Sequence, residues 1–131
     1  MKNNDGDTPL YYASRNGYTE VVNLLVEKGV DIHVKNNDGW TLLHRASMYG
    51  HTEVVNLLIE KGANIRVKDD DGRTPLHYAS DKGHTKVVNL LIEKGADIHV
   101  QDNNGDTPLH GASTYRHTKV VNLLKENGAK Y

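Results

Sequence analysis

Histidine is the residue type in this sequence with the most evident capacity for chemistry. Eight histidines occur among 131 residues, and an imidazole can ligate a metal ion or act as a general base near neutral pH. Six of them form two series with a spacing of 33 residues: His44, His77 and His110, and His51, His84 and His117. A zinc site needs three or four ligands at one point, whereas this spacing spreads them along the chain. We therefore expect no metal site and a structural role for each series.

Serine, histidine and aspartate recur together, so a hydrolytic triad is the second chemistry to consider. A triad needs one constellation with an oriented base and an oxyanion hole, and similar copies without a distinctive neighbour do not supply it. The run Asp69-Asp70-Asp71 lacks the ligand spacing of an EF-hand calcium loop. No P-loop or G-x-G-x-x-G motif is present to hold a phosphate. We predict no enzymatic activity, no catalytic residues and no cofactor.

The sequence contains an internal repeat, and the turns and helices of each repeat position these residues. A turn dipeptide returns every 33 residues, as Asp5-Gly6, Asp38-Gly39, Asp71-Gly72 and Asn104-Gly105. The segment Val-Val-Asn-Leu-Leu returns at 21–25, 54–58, 87–91 and 120–124. The sequence therefore predicts one domain, 1–131, built from four repeats at about 1–33, 34–66, 67–99 and 100–131.

Each repeat predicts a turn, two short helices and an extended return. In the third repeat Asp71-Gly72 suits the positive φ of a tight turn. Thr74 and Thr85 are expected to cap the first and the second helix, and Gly83 to end the first. The apolar face of the second helix lies within 87–92. Helices this short cannot bury an apolar face alone, so the repeats must stack.

Two segments carry a family resemblance, Thr74-Pro75-Leu76-His77-Tyr78-Ala79 and Thr107-Pro108-Leu109-His110-Gly111-Ala112. They match the T-P-L-H-x-A signature of the ankyrin repeat, and the chain resembles that family in its period as well. The resemblance implies an all-α solenoid of helix–turn–helix units with β-turn fingers and a concave groove lined by fingers and first helices. It also implies a protein-binding scaffold or adaptor without catalysis, in which the histidines hydrogen-bond adjacent turns.

The fourth repeat departs from the pattern at two positions. Lys125 stands where the earlier repeats have Val or Ile, which suits a terminal capping repeat. Arg116 stands where they have glycine. A left-handed backbone costs a residue other than glycine about 1–2 kcal/mol, so we expect that turn to be remodelled.

Charge and composition narrow the classes of partner. Sixteen Lys and Arg balance seventeen Asp and Glu, and no single-signed stripe results, which argues against nucleic acid or a membrane surface. There is no cysteine, which fits a reducing compartment. The N-terminus lacks the apolar core of a signal peptide, and no apolar run could span a membrane. We expect an intracellular, cytoplasmic protein.

The two central repeats differ from each other in a restricted region. Ten of their 33 positions differ, and seven of those ten lie in the finger or the first helix. The second-helix segment 54–62 returns unchanged at 87–95. A repeat must keep the surface that packs on its neighbours, whereas it can vary where it meets another molecule. We therefore expect the finger-and-first-helix face to bind a partner.

The residue types on this face are those that dominate binding hot spots. Arg45, Met48 and Tyr49 share one face of a first helix, and Trp40 lies on the finger just before it. The equivalent positions of the first repeat hold Asp7, Tyr12, Arg15 and Asn16. The predicted partner-binding residues are Tyr12, Trp40, Arg45, Met48, Tyr49, Arg73, Tyr78, Asp81, Lys82, Asp106 and Tyr115, with Trp40 as the leading candidate.

Other interpretations stay open. Trp40 could cover a neighbouring turn, and the Arg and Tyr side chains could be solvated without a partner. The identity between repeats and the abrupt start favour an engineered or structural scaffold with no evolved partner, and a regulatory segment of a larger protein is the third alternative. The bulky, chemically mixed face counts against a scaffold without a partner and favours binding to a protein of unknown identity. We expect the chain to be a monomer.

Overall fold

A computed structural model describes residue 6 and residues 8–130. Within these residues all regular structure is helical. The first helices of the four repeats are α1 (Pro9–Arg15), α3 (Leu42–Met48), α5 (Pro75–Asp81) and α7 (Pro108–Thr114). The second helices are α2 (Thr19–Glu27), α4 (Thr52–Glu60), α6 (Thr85–Glu93) and α8 (Thr118–Glu126). The prediction of an all-α stack of helix–turn–helix units is confirmed. Asp5, of the first predicted turn, lies outside the described residues.

Each first helix begins after a threonine with an extended backbone, namely Thr8, Thr41, Thr74 or Thr107. Thr41 Oγ1 accepts the His44 N–H at 3.4 Å, and His44 Nδ1 accepts the Thr41 N–H at 3.0 Å. This reciprocal pair is a capping box in which histidine takes the place that Glu or Gln usually has. The same box recurs in α5 and α7, so the Thr-x-Leu-His motif starts the first helix.

The second helices begin differently from the sequence prediction. Thr85 is the first residue of α6, and the N-cap residue is His84, whose side chain makes no capping hydrogen bond. Thr85 as the cap is therefore wrong by one residue. The reason is that the chain enters the helix directly from the turn, since the Thr85 N–H bonds to the Gly83 carbonyl at 3.0 Å. The His84 ring instead reaches the preceding repeat, where Nε2 lies 3.0 Å from the Met48 carbonyl oxygen.

Stacking occurs in two layers. Consecutive first helices pack against one another, consecutive second helices form the second layer, and each first helix packs on its own second helix. Leu43, Ala46 and their equivalents in α5 and α7 are fully buried between first helices. Small alanine side chains let these helices approach closely, and each buried leucine contributes about 1.5–3 kcal/mol. The apolar residues of the second helices, such as Val55 and Leu58, complete the core.

Five histidines of the two series connect neighbouring repeats, as predicted, whereas His110, in the last repeat, makes no such bond within the described residues. His44 and His77 reach forward, with Nε2 lying 2.9 Å from the carbonyl oxygens of Arg73 and Asp106. Because Nδ1 accepts a backbone N–H, Nε2 carries the proton and donates it to that carbonyl. The second series reaches backward, and His51 Nε2 lies 2.6 Å from the Arg15 carbonyl oxygen. Hydrogen bonding between adjacent turns is therefore confirmed.

The turn at Arg116 keeps the geometry of the other repeats. Arg116 has φ +60°, its N–H bonds to the Ser113 carbonyl at 3.2 Å, and His117 follows with a bond of 2.9 Å to Ala112. The equivalent glycine, Gly83, has φ +73° and the same pair of bonds. The expected remodelling is wrong, because neighbouring hydrogen bonds hold the left-handed backbone in place. Lys125 is exposed on α8, in agreement with its charge.

Candidate partner-binding surface

A side-chain turn shapes each finger. Asp69 Oδ1 accepts the N–H groups of Asp71 and Arg73, both at 2.9 Å. Asn36 and Asp102 make the same pair of bonds in the neighbouring fingers, and all three side chains are buried. The second carboxylate oxygen of Asp69 and of Asp102 is thereby turned toward the preceding repeat.

Trp40 uses that second oxygen of Asp69. The indole Nε1 donates to Asp69 Oδ2 at 2.8 Å, and the Tyr78 hydroxyl donates to the same oxygen. Trp40 and Tyr78 meet edge to face with ring centroids 6.0 Å apart, a favourable geometry for aromatic rings. Trp40 therefore spans the second and third repeats, and its N–H is already satisfied within the stack.

Arg73 repeats this link one repeat later. Its Nη1 lies 3.1 Å from Asp102 Oδ2, its Nη2 pairs with Asp81 Oδ2, and its guanidinium lies 4.9 Å from the Tyr78 ring centroid. Gly111 makes room for this arrangement, because a Cβ at that position would collide with Asp81 Oδ1. Arg73 is therefore held by two carboxylates and an aromatic face.

The first two repeats are joined by arginines packed on aromatic rings. The Arg45 guanidinium carbon lies 4.3 Å from the Trp40 ring centroid and 5.2 Å from that of Tyr11. Arg15 lies 5.4 Å from the Tyr12 centroid and 6.0 Å from the Tyr49 centroid. These distances are within the range of cation–π attraction.

Family models identify the fold to which this surface belongs. A model described as ankyrin repeats (3 copies) matches residues 29–102 and 64–131, and one described as ankyrin repeats (many copies) matches residues 1–46. The chain belongs to the ankyrin-repeat family. The resemblance inferred from the T-P-L-H-x-A segments is thus confirmed. No curated protein matches the sequence.

Ankyrin repeats are generally protein–protein interaction modules and are typically non-catalytic. In the described part of this ankyrin stack, no three His, Cys, Asp or Glu side chains are grouped so that they could hold a metal ion. Nor does any described helix have the length and apolar character that crossing a membrane requires.

The ankyrin stack divides the predicted partner-binding residues into two groups. Trp40, Arg45, Arg73, Tyr78 and Asp81 are half-buried and contact one another. Tyr12, Tyr49 and Tyr115 are 39%, 45% and 61% exposed, Lys82 and Asp106 are exposed, and Met48 is half-buried. Asp7 lies outside the described residues. Contact with a partner remains a prediction for every residue in both groups.

Burial and hydrogen bonding determine the charge states of the titratable side chains around Trp40 and Tyr78. Burial alone would raise the pKa of Asp69, but hydrogen bonds from Tyr78, the Arg73 backbone and Trp40 hold that pKa below its usual value. Burial and the adjacent Asp69 carboxylate raise the pKa of Tyr78. Burial lowers the pKa of His44 to about 4. Trp40, Asp69 and Tyr78 form a hydrogen-bond network, and the His44 ring lies against Tyr78. At neutral pH this network therefore contains an ionised Asp69 and a protonated Tyr78 hydroxyl, and the adjacent His44 is neutral.

The finger residues that organise this network are not among the predicted partner-binding residues. Asn36, Asp69 and Asp102 recur with the 33-residue spacing, each three residues before the turn glycine. Asn and Asp are the residues that bond to backbone N–H groups two residues on. This recurrence is the sequence signal for the three finger residues. It does not indicate which side chain donates a hydrogen bond to the second carboxylate oxygen of Asp69 or Asp102.

Proposed function

We propose that this ankyrin-repeat chain is a protein-binding module that presents its finger-and-first-helix face to a partner protein, and that it is not an enzyme. The observation that carries the proposal is the contrast between the two layers. The second-helix segment is identical in the two central repeats, whereas the first-helix layer varies and exposes Tyr12, Tyr49 and Tyr115. Exposed tyrosines supply large contact area at a small cost in side-chain entropy.

Affinity capture with two matched variants tests this function. The first variant replaces Tyr12, Tyr49 and Tyr115 by Ala, since these exposed side chains can be truncated without opening the core. The control replaces Glu53 and Lys86 by Ala on exposed positions of the second helices. We expect proteins captured by wild type to be retained by the control and lost by the tyrosine variant, with unchanged circular dichroism spectra. Equal capture by both variants would contradict the proposal.

A scaffold without an evolved partner is the second candidate. It is favoured by the identity of 54–62 and 87–95 and by the intramolecular contacts that occupy Trp40 and Arg73. The same capture experiment distinguishes it, because such a scaffold would retain no protein above the level of the tyrosine variant. The third candidate, a regulatory segment of a larger protein, is decided by the full-length gene.

We further propose that residues 1–131 act as one domain, a monomer in the cytoplasm, with a protein and neither nucleic acid nor a membrane as its ligand. Continuous packing of first helix on first helix from α1 to α7 supports a single unit. The near balance of basic and acidic residues supports a protein ligand over nucleic acid or a membrane. Light scattering coupled to size exclusion measures the oligomeric state, and a mass twice that of the chain would overturn the monomer.

A further inference from the structure

We infer that Arg15, which contacts the rings of Tyr12 and Tyr49, is a subsite for an Asp or Glu side chain in a segment of the partner. The inference rests on the proposed function and names the chemistry of the partner. It places the acidic contact at the ends of α1 and α3, where the first two repeats meet.

The position of Arg15 is built by both repeats. Its guanidinium carbon lies 5.4 Å from the Tyr12 ring centroid on its own helix and 6.0 Å from the Tyr49 centroid on the next first helix. Tyr49 in turn stacks on His51, with centroids 6.5 Å apart and an angle of 21°. His51 Nε2 lies 2.6 Å from the Arg15 carbonyl oxygen. Backbone and side chain of Arg15 are thus both anchored before any partner arrives.

Arg15 differs from Arg73 in its charge partners. Arg73 is paired with Asp81 and Asp102, whereas no carboxylate among residues 8–130 lies within ion-pair distance of Arg15. A guanidinium carries five N–H donors in a planar fork that matches a carboxylate. Both tyrosine rings lie within cation–π distance of the guanidinium, and this contact does not use its N–H donors, which remain available to a ligand.

The surrounding charge favours an acidic ligand. The first helices and the residues that end them carry Arg15, Arg45 and Lys82 against a single acid, Asp81. Asp81 is paired with Arg73, which also pairs with Asp102. Basic side chains thus outnumber acidic ones on the first helices and the residues that end them, although the chain as a whole has a formal charge of -1. Complementary local charge selects partners and orients them more than it determines total affinity.

A carboxylate fits this subsite better than a phosphate. Proteins that recognise phosphorylated segments use clusters of arginines, and here one guanidinium is flanked by two tyrosine rings. Those rings are partly exposed and can cover the apolar side chains on either side of an acidic residue. The expected segment therefore has an Asp or Glu between apolar or aromatic residues.

Selection from a library of short random peptides displayed on phage tests the inference. Peptides selected on the wild-type chain should be enriched in Asp or Glu. The tightest such peptide should bind Arg15→Glu at least about tenfold more weakly by calorimetry. Lys94→Glu makes the same charge change at the exposed end of α6 and should leave affinity unchanged. Replacing the acidic residue of the peptide by Gln or Asn should weaken binding to wild type but not to Arg15→Ala.

The outcomes separate this inference from the proposed function. Absence of Asp and Glu enrichment, or equal affinity for wild type and Arg15→Glu, would overturn the acidic subsite. If in that case the selected peptides still bind a Tyr12→Ala, Tyr49→Ala double variant more weakly than wild type, the finger-and-first-helix face binds protein segments. Only the predicted acidic residue in those segments is then wrong. Enrichment of a phosphorylated peptide over its Glu counterpart in a direct comparison would also overturn the carboxylate. Failure to select any peptide would count against the subsite as well, whereas capture of folded proteins tests the face independently.

Discussion

Trp40 donates its indole N–H to the carboxylate of Asp69 in the following finger over 2.8 Å. One repeat later Arg73 makes the equivalent contact with Asp102 over 3.1 Å. Two unlike side chains at equivalent positions thus join consecutive fingers in the same way, because each can donate to an acid whose other oxygen is held by the backbone. Variation between repeats at this position therefore does not by itself indicate contact with a partner.

Replacement of Trp40 should reveal this stacking role. Trp40→Phe removes the indole donor from a buried carboxylate and should lower the free energy of unfolding by about 1–2 kcal/mol. Trp40→Arg combined with Arg45→Tyr should lose less, because the pair then matches Arg73 beside Tyr78, and the arginine can reach Asp69 as Arg73 reaches Asp102. Urea denaturation of wild type and the two variants measures the difference. A double variant less stable than Trp40→Phe would refute the shared role.

Arg116 should be a site where glycine stabilises the chain. Arg116 has a left-handed backbone, with φ +60°, which costs a residue other than glycine about 1–2 kcal/mol in the folded state. Glycine also has more freedom in the unfolded chain, which offsets about 0.4–1 kcal/mol of the gain in the free energy of unfolding. Arg116→Gly should therefore raise the free energy of unfolding by roughly 0.5–1 kcal/mol. Arg116→Ala is the matched control, since it retains a Cβ and should give no such gain. Equal stability of the Gly and Ala variants would show that the turn is unstrained.

Acid should destabilise the stack through its buried histidines. Burial lowers the pKa of His44 to about 4, and also lowers the pKa values of His77 and His84. Histidine in the unfolded chain titrates near pH 6.5, so between these values the unfolded state binds more protons. The free energy of unfolding should therefore be constant above about pH 7 and fall as the pH drops toward 4, with roughly 2–3 kcal/mol lost through His44 alone. Urea midpoints measured across this range check the sign, and midpoints that rise on acidification would contradict it.

The buried serines of the first helices should be replaceable without loss. Ser47 and Ser80 are fully buried, and their Oγ atoms have no hydrogen-bond partner within the described part of the chain. Ser80→Ala should leave the free energy of unfolding unchanged or raise it by up to about 1 kcal/mol, because an unsatisfied hydroxyl is removed. Ala79→Ser adds a hydroxyl to the neighbouring buried position and should lower stability by about 1–3 kcal/mol. A clear loss in Ser80→Ala would mean that the hydroxyl has a partner, for instance a bound water.

Local signals in the sequence were sufficient to predict most of the fold. Thr74 as a cap and Gly83 as a helix stop depend on the backbone geometry of a few consecutive residues. The second helix of the third repeat begins at Thr85, and its N-cap residue is His84, not the predicted Thr85. That prediction is wrong because the cap preference of threonine competes with a turn that already starts the helix.

The roles of the candidate binding residues depended on distant neighbours. Trp40 and Asp69 are 29 residues apart, and whether the indole N–H meets a carboxylate cannot be inferred from either local segment. The same holds for Arg15, whose contact with Tyr49 requires two first helices to be packed side by side. The sequence predicted which face varies, while the structure separated half-buried contacts from exposed side chains.

The sequence alone determined the period, the helices, the threonines that cap the first helices and the family, because each follows either from the 33-residue repeat or from interactions among a few consecutive residues. The tertiary structure decided how residues at equivalent positions are used. Trp40 joins two fingers, whereas Arg15 lies between two exposed tyrosines with no described acid beside it. The physical reason is that hydrogen bonds and ion pairs between repeats depend on what the adjacent repeat presents a few ångströms away, and packing of one repeat on the next sets that distance.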